Sequence, residues 1–128
     1  MSATYYYNQA EYWRKEAVNR QKQKNKFNAF LGKVSDAKAD LEKIENSLKE
    51  GRNYFEDGGF NNDGVILGGN AIPEAYRTLG KDKRALGIVE TGVKEDIIAI
   101  QRSIDTAQEN YRYYLSLYYE ALESGDSE

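Results

Sequence analysis

From Val93 toward the C-terminus, apolar residues return at alternating steps of four and three without a break: Val93, Ile97, Ile100, Ile104, Ala107, Tyr111, Tyr114, Tyr118 and Ala121. Such a run keeps one helix face turned to a neighbour for about four heptads, the pattern of a coiled-coil seam. Leu86 and Val89 extend it toward the N-terminus. The first part of the chain carries a second stripe, Trp13, Ala17, Phe27, Phe30, Val34, Ala37, Leu41, Ile44 and Leu48, regular from Phe27 onward. Between Asn19 and Asn25 this stripe has no apolar member, so helix propensity must carry the chain across. Thr4 is the expected N-cap.

Nine of the eleven glycines lie between Gly51 and Gly92, which divides the chain into two helical arms around a broken middle. The pattern predicts a helix over 4–52, an irregular segment over 53–80, a helix over 81–123 and a disordered tail over 124–128. Within the irregular segment, Pro73 and Gly80 bracket a short helix over 73–79. At 1.5 Å per residue the arms match at about 65 to 75 Å. The predicted fold is all-α: a single-domain antiparallel two-helix hairpin, coiled-coil-like, with a long Gly/Asn-rich connection. A third or fourth helix from a partner would complete it, and a domain-swapped homodimer satisfies the same seams.

Composition narrows the chemistry. The 128 residues include no Cys and no His, which removes the usual zinc sites, disulfides, a Cys nucleophile and a Ser-His-Asp triad. A formal net charge of -3 argues against nucleic-acid binding through bulk charge. The longest apolar runs, such as Ile97 to Ile100, fall far short of the roughly 20 residues that span a bilayer, so no membrane insertion is expected. The N-terminus has no basic stretch followed by an apolar core, so no Sec-type signal is expected either.

Other patterns resolve blandly. Asn61-Asn62-Asp63-Gly64 puts Gly59 and Asn70 where a calcium loop requires acids. Gly58-Gly59 and Gly68-Gly69 lack the Lys-Ser/Thr of a phosphate cradle. The basic stretch Arg14, Lys15, Arg20, Lys22, Lys24, Lys26 reads as a solvated helix. Glu45, Glu50, Asp96 and Asp105 stand among Lys and Arg and form no acid pair. The expectation is a non-enzymatic protein without metal or cofactor.

The aromatic residues are unevenly placed. Nine of eleven tyrosines fall within 5–12 or 111–119, with Trp13 beside the first set. A hairpin brings both sets to one end, with Tyr111, Tyr114 and Tyr118 packing on Tyr6, Ala10 and Trp13. Leu115, Tyr119 and Leu122 then form a second stripe pointing away from the seam, which implies a partner.

This architecture, with the C-terminal Tyr119-Glu120-Ala121-Leu122-Glu123, resembles the WXG-type helical hairpins of bacterial type VII secretion. The length and the opening Tyr12-Trp13-Arg14-Lys15-Glu16 resemble more closely the small helical proteins associated with LXG polymorphic toxins of Gram-positive bacteria. The Trp-x-Gly of the family's inter-helix turn is missing. The resemblance implies an adaptor that binds the helical N-terminal domain of an LXG-type toxin, or a second small helical protein, and brings it to the type VII apparatus. It implies synthesis in the cytoplasm, export without a cleavable signal, and an export signal at Tyr119 and Glu123. The partner interface would draw on Trp13, Phe27, Phe30, Val34, Leu41, Ile44 and Leu48 of the first arm and on Val93, Ile97, Ile100, Ile104, Tyr111, Tyr114, Leu115, Tyr118 and Leu122 of the second. The alternatives are a cytoplasmic immunity protein that neutralises a toxin, and a self-assembling structural coiled coil.

Overall fold

The computed structural model describes residues 2–56, 61–62, 65–66 and 71–125. Two long helices dominate them, α1 (Ala3–Glu56) and α2 (Ala71–Glu123), and the fold is an all-α helical hairpin. A two-residue antiparallel ladder joins β1 (Asn61–Asn62) to β2 (Val65–Ile66), with Asn62 opposite Val65. Contacts divide the chain into two compact units, Met1–Ala29 with Val93–Glu128, and Phe30–Gly92. The paired Gly-Gly sequences at 58–59 and 68–69, Phe60, Asp63-Gly64, Asn70 and the tail beyond 125 lie outside the described residues.

Both helices are longer than their patterns predict. The α1 N-cap is Ser2 rather than Thr4: its hydroxyl accepts the Tyr5 N–H at 3.2 Å, meeting one of the donors a helix start leaves unpaired. Thr4 already lies inside the first turn. At the other end α1 continues past Gly51 to Glu56, and a Cβ at Gly51 would make ordinary van der Waals contact, 3.7 Å, with the Ile72 side chain of α2.

In place of a separate helix over 73–79 and a fresh start at 81, α2 begins at Ala71 and passes through Gly80. Pro73 falls in its first turn, where the missing N–H costs nothing. Gly80 costs about 1 kcal/mol against Ala; the buried Leu79 and the Lys83–Glu45 ion pair anchor the backbone on either side of it. Nothing lies within 4 Å of a Cβ built at Gly80, Gly87 or Gly92. Replacing all three by Ala is therefore expected to stabilise the protein by about 2 to 3 kcal/mol, at up to 1 kcal/mol each. Urea unfolding reads this as a higher midpoint with unchanged slope; a lower midpoint would mean that α2 is broken at these positions.

In the unit formed by Met1–Ala29 and Val93–Glu128, the α2 seam is as its spacing predicts. Ile100, Ile104, Ala107 and Ala121 are buried, and Val93, Ile97, Tyr111, Tyr114 and Tyr118 are half-buried along the same face. They meet Ala3 and Ala10, both buried, and the half-buried Trp13, Ala17 and Phe27 of α1. The stretch without apolar residues is a polar layer of this seam. Arg20 Nη1 donates to the Ser103 carbonyl at 3.0 Å, and Lys24 Nζ donates to Gln101 Oε1 at 2.6 Å. Arg20 also pairs with Glu16 at 3.3 Å and lies 5.9 Å from the centre of the Trp13 ring. Two members of the basic stretch thus link helix to helix.

In the Phe30–Gly92 unit the α1 stripe is rotated from its predicted line. Val34 is buried and Leu31, Leu41, Glu45 and Leu48 face inward, whereas Phe30 and Ile44 are 47% and 49% exposed. Steps of three and four fit both lines of residues. The line through Leu31 and Glu45 is the inward one, and Lys83 of α2 reaches Glu45 at 2.7 Å. On α2, Leu79 is buried and Leu86 and Glu90 face inward, while Val89, expected on the seam, is 40% exposed.

Candidate interaction surfaces

The aromatic residues gather in the unit containing both termini, as expected, but their pairing differs in detail. Between the helices, Tyr7 rather than Tyr6 meets Tyr118, with ring centroids 5.5 Å apart. Tyr118 in turn leans on Tyr119 at 5.4 Å and 45°. Tyr12 and Trp13 meet edge to face at 5.0 Å, as do Tyr113 and Tyr114 at 5.1 Å. Offset and edge-on geometries of this kind suit the ring quadrupole.

Tyr119 ends the Tyr7–Tyr118–Tyr119 stack with 55% of its surface exposed, and Leu122 is 42% exposed. Leu115 is half-buried one turn before Tyr119, and the exposed Glu123 follows one turn after it. The helix holds its geometry to the end of this stripe because its last turn is capped. The Ser124 N–H reaches the Glu120 carbonyl at 3.0 Å, the Ser124 hydroxyl the Ala121 carbonyl at 2.9 Å, and the Gly125 N–H the Leu122 carbonyl at 3.1 Å. Gly125 adopts a φ of 82°, the left-handed position that glycine fills at helix ends. Residues 124 and 125, expected in a disordered tail, are this cap; residues 126–128 lie outside the described set.

The remaining interface candidates separate by burial. Val34, Ile100 and Ile104 are spent within the hairpin, and Trp13, Phe27, Leu41, Leu48, Val93, Ile97, Tyr111, Tyr114 and Tyr118 line its inner faces. Phe30, Ile44 and Leu122 are the members left most open, and Tyr119 of the expected export signal, Tyr5, Tyr7, Tyr12, Tyr113 and Val89 join them as exposed large side chains.

Charges distribute with similar economy. Glu45 accepts from Lys83 at 2.7 Å and Lys49 lies at 3.4 Å. The hydrogen bond from Lys83 holds the Glu45 carboxyl below its ordinary range, and the same bond raises Lys83. Glu11 is lowered in the same way by its hydrogen bond to Arg14, 2.9 Å away. Asp105 accepts from Gln101 at 2.9 Å. Among the described residues no three acidic, His or Cys side chains converge as metal ligands, and no helix is long and apolar enough to cross a membrane. No family model, curated protein or solved structure matches this chain.

Proposed function

We propose that this chain is a non-enzymatic helical adaptor that binds the helical N-terminal domain of an LXG-type toxin, or a second small helical protein, and promotes its type VII secretion. One observation carries the reading: Tyr119 and Leu122 stand open on the capped last turns of α2, with Glu123 one turn beyond Tyr119. A half-exposed Tyr backed by a stack of rings is a rigid, amphipathic contact that orders at low entropic cost on docking. Closed inner seams leave the outer stripe as the surface for a partner, and the order of Tyr119 and Glu123 supports its use as a targeting element.

The test is affinity purification of the tagged protein from the cells that make it, with mass spectrometry of cells and medium. Co-elution of a toxin through its helical N-terminal domain, with the chain itself present in the medium, supports the adaptor. Binding through a toxin's C-terminal domain, confined to cells, would make it an immunity protein. Recovery of the chain alone as a defined oligomer would make it a structural coiled coil.

A further inference from the structure

Within the Phe30–Gly92 unit the heptad line of each helix carries charge at a fixed spacing. On α1, Val34, Lys38, Leu41, Glu45 and Leu48 follow one another at alternating steps of four and three; on α2, Leu79, Lys83, Leu86 and Glu90 do the same. Each helix thus sets a Lys and, seven residues later, a Glu on its seam. Lys38 reaches Glu90 at 3.2 Å, and Lys83 reaches Glu45 at 2.7 Å. The glutamates are the inward members, with 22% and 24% of their side-chain surface exposed; the lysines, at 50% and 51%, reach in from the edge. Both lysines border an open cavity of about 490 Å³ together with Ser35, Ala39, Leu41 and Glu42. Ion pairs this open to solvent add little to stability, and a Leu in place of either Glu would bury more apolar surface. Their order along the two helices has a use that their strength does not.

We propose that these two pairs fix the register of α1 against α2. The leucines alone do not, because they recur every seven residues: sliding one helix by a heptad still sets Leu against Leu, Leu41 on Leu79 in one direction and Leu48 on Leu86 in the other. Residues 57–70, which join the helices, are long enough to span such a slide of about 10 Å. The charges disfavour what the leucines permit. A slide in one direction sets Lys38 against Lys83, and in the other Glu45 against Glu90, a like-charged pair in place of two attractive ones. Crossed polarity is what excludes both, since two lysines on one helix facing two glutamates on the other would stay attractive after either slide. Seam positions given to polar groups at a cost in stability are known to set alignment in coiled coils. The inference is independent of what the chain binds.

The chain has no Cys, so spin labels at Asp36→Cys and Lys81→Cys, exposed positions on the two helices, report register as one distance. A one-heptad slide moves the labels by about 10 Å along the helix axes. With Lys38, Glu45, Lys83 and Glu90 all replaced by Leu, the urea midpoint is expected to rise while the single distance splits into native and displaced populations. A second variant adds no apolar surface. Lys38→Glu with Glu45→Lys makes both native pairs repulsive and either slide attractive, so its distance should be displaced; adding Lys83→Glu with Glu90→Lys should restore the native value. An unchanged single distance in either variant would overturn the proposal, as would failure of the reciprocal exchange to restore it. A lower urea midpoint in the Leu variant would overturn it too, since the pairs would then be held for stability.

Discussion

Ile104→Asp is expected to unfold the unit built from Met1–Ala29 and Val93–Glu128, while Ile98→Asp leaves it folded. Ile104 is 2% exposed between the buried Ile100 and Ala107; Ile98, on the same helix, is 54% exposed. Removing the side chain alone, as Ile104→Ala, costs about 2 to 5 kcal/mol through lost transfer energy and the cavity left behind. A carboxylate in its place adds the desolvation of an unpaired charge. A small domain holds about 5 to 15 kcal/mol in all, so the Asp variant should lose most of its helical circular dichroism at 25 °C. The exposed position should shift stability by no more than about 0.5 kcal/mol. Equal losses from the two variants would refute the inward orientation of the Val93 to Ala121 seam.

The second large effect is on delivery and not on folding. Tyr119→Ala removes a ring that is 55% exposed and touches Tyr118. The lost ring contact is worth about 0.5 to 1.5 kcal/mol, well within what the fold can absorb. If the Tyr119 stripe targets a secreted complex, the amount of protein and client in the medium should fall at least about tenfold, the scale of losing a 1.4 kcal/mol contact. Cellular levels and circular dichroism should hold. Tyr119→Phe keeps the stack and separates the ring from the hydroxyl. Normal secretion of Tyr119→Ala, or loss of its helicity, would defeat the targeting role.

How far these surfaces were legible in the sequence depended on which helix was read. From Val93 onward the α2 seam was legible because eight consecutive alternating steps of four and three admit a single line of residues. The α1 stripe was ambiguous from Phe27 onward: Phe30 and Ile44 fit the spacing as well as Leu31 and Glu45, and the inward Glu45 is matched by Lys83 across the helices. An inward Glu cannot be recognised without its partner. The same holds for Arg20 and Lys24, whose hydrogen bonds to residues 103 and 101 turn an apparent gap into a layer of the seam. Gly80 misled because propensity was weighed before the packing of Leu79. Asn62 opposite Val65 went unread, although Asp-Gly between short runs is a hairpin signal. The open Tyr119 stripe was legible from its offset against the seam.

The Arg20 bond to the Ser103 carbonyl has a consequence for how this sequence can drift. A guanidinium that addresses a main-chain oxygen does not read the side chain opposite, because every residue type carries that oxygen. Arg20 meanwhile also serves Glu16 and Trp13, a set of contacts that a planar fork makes and an ammonium does not. Inheritance is therefore constrained on one helix only: diverged copies of this chain should hold Arg at 20 while position 103 wanders.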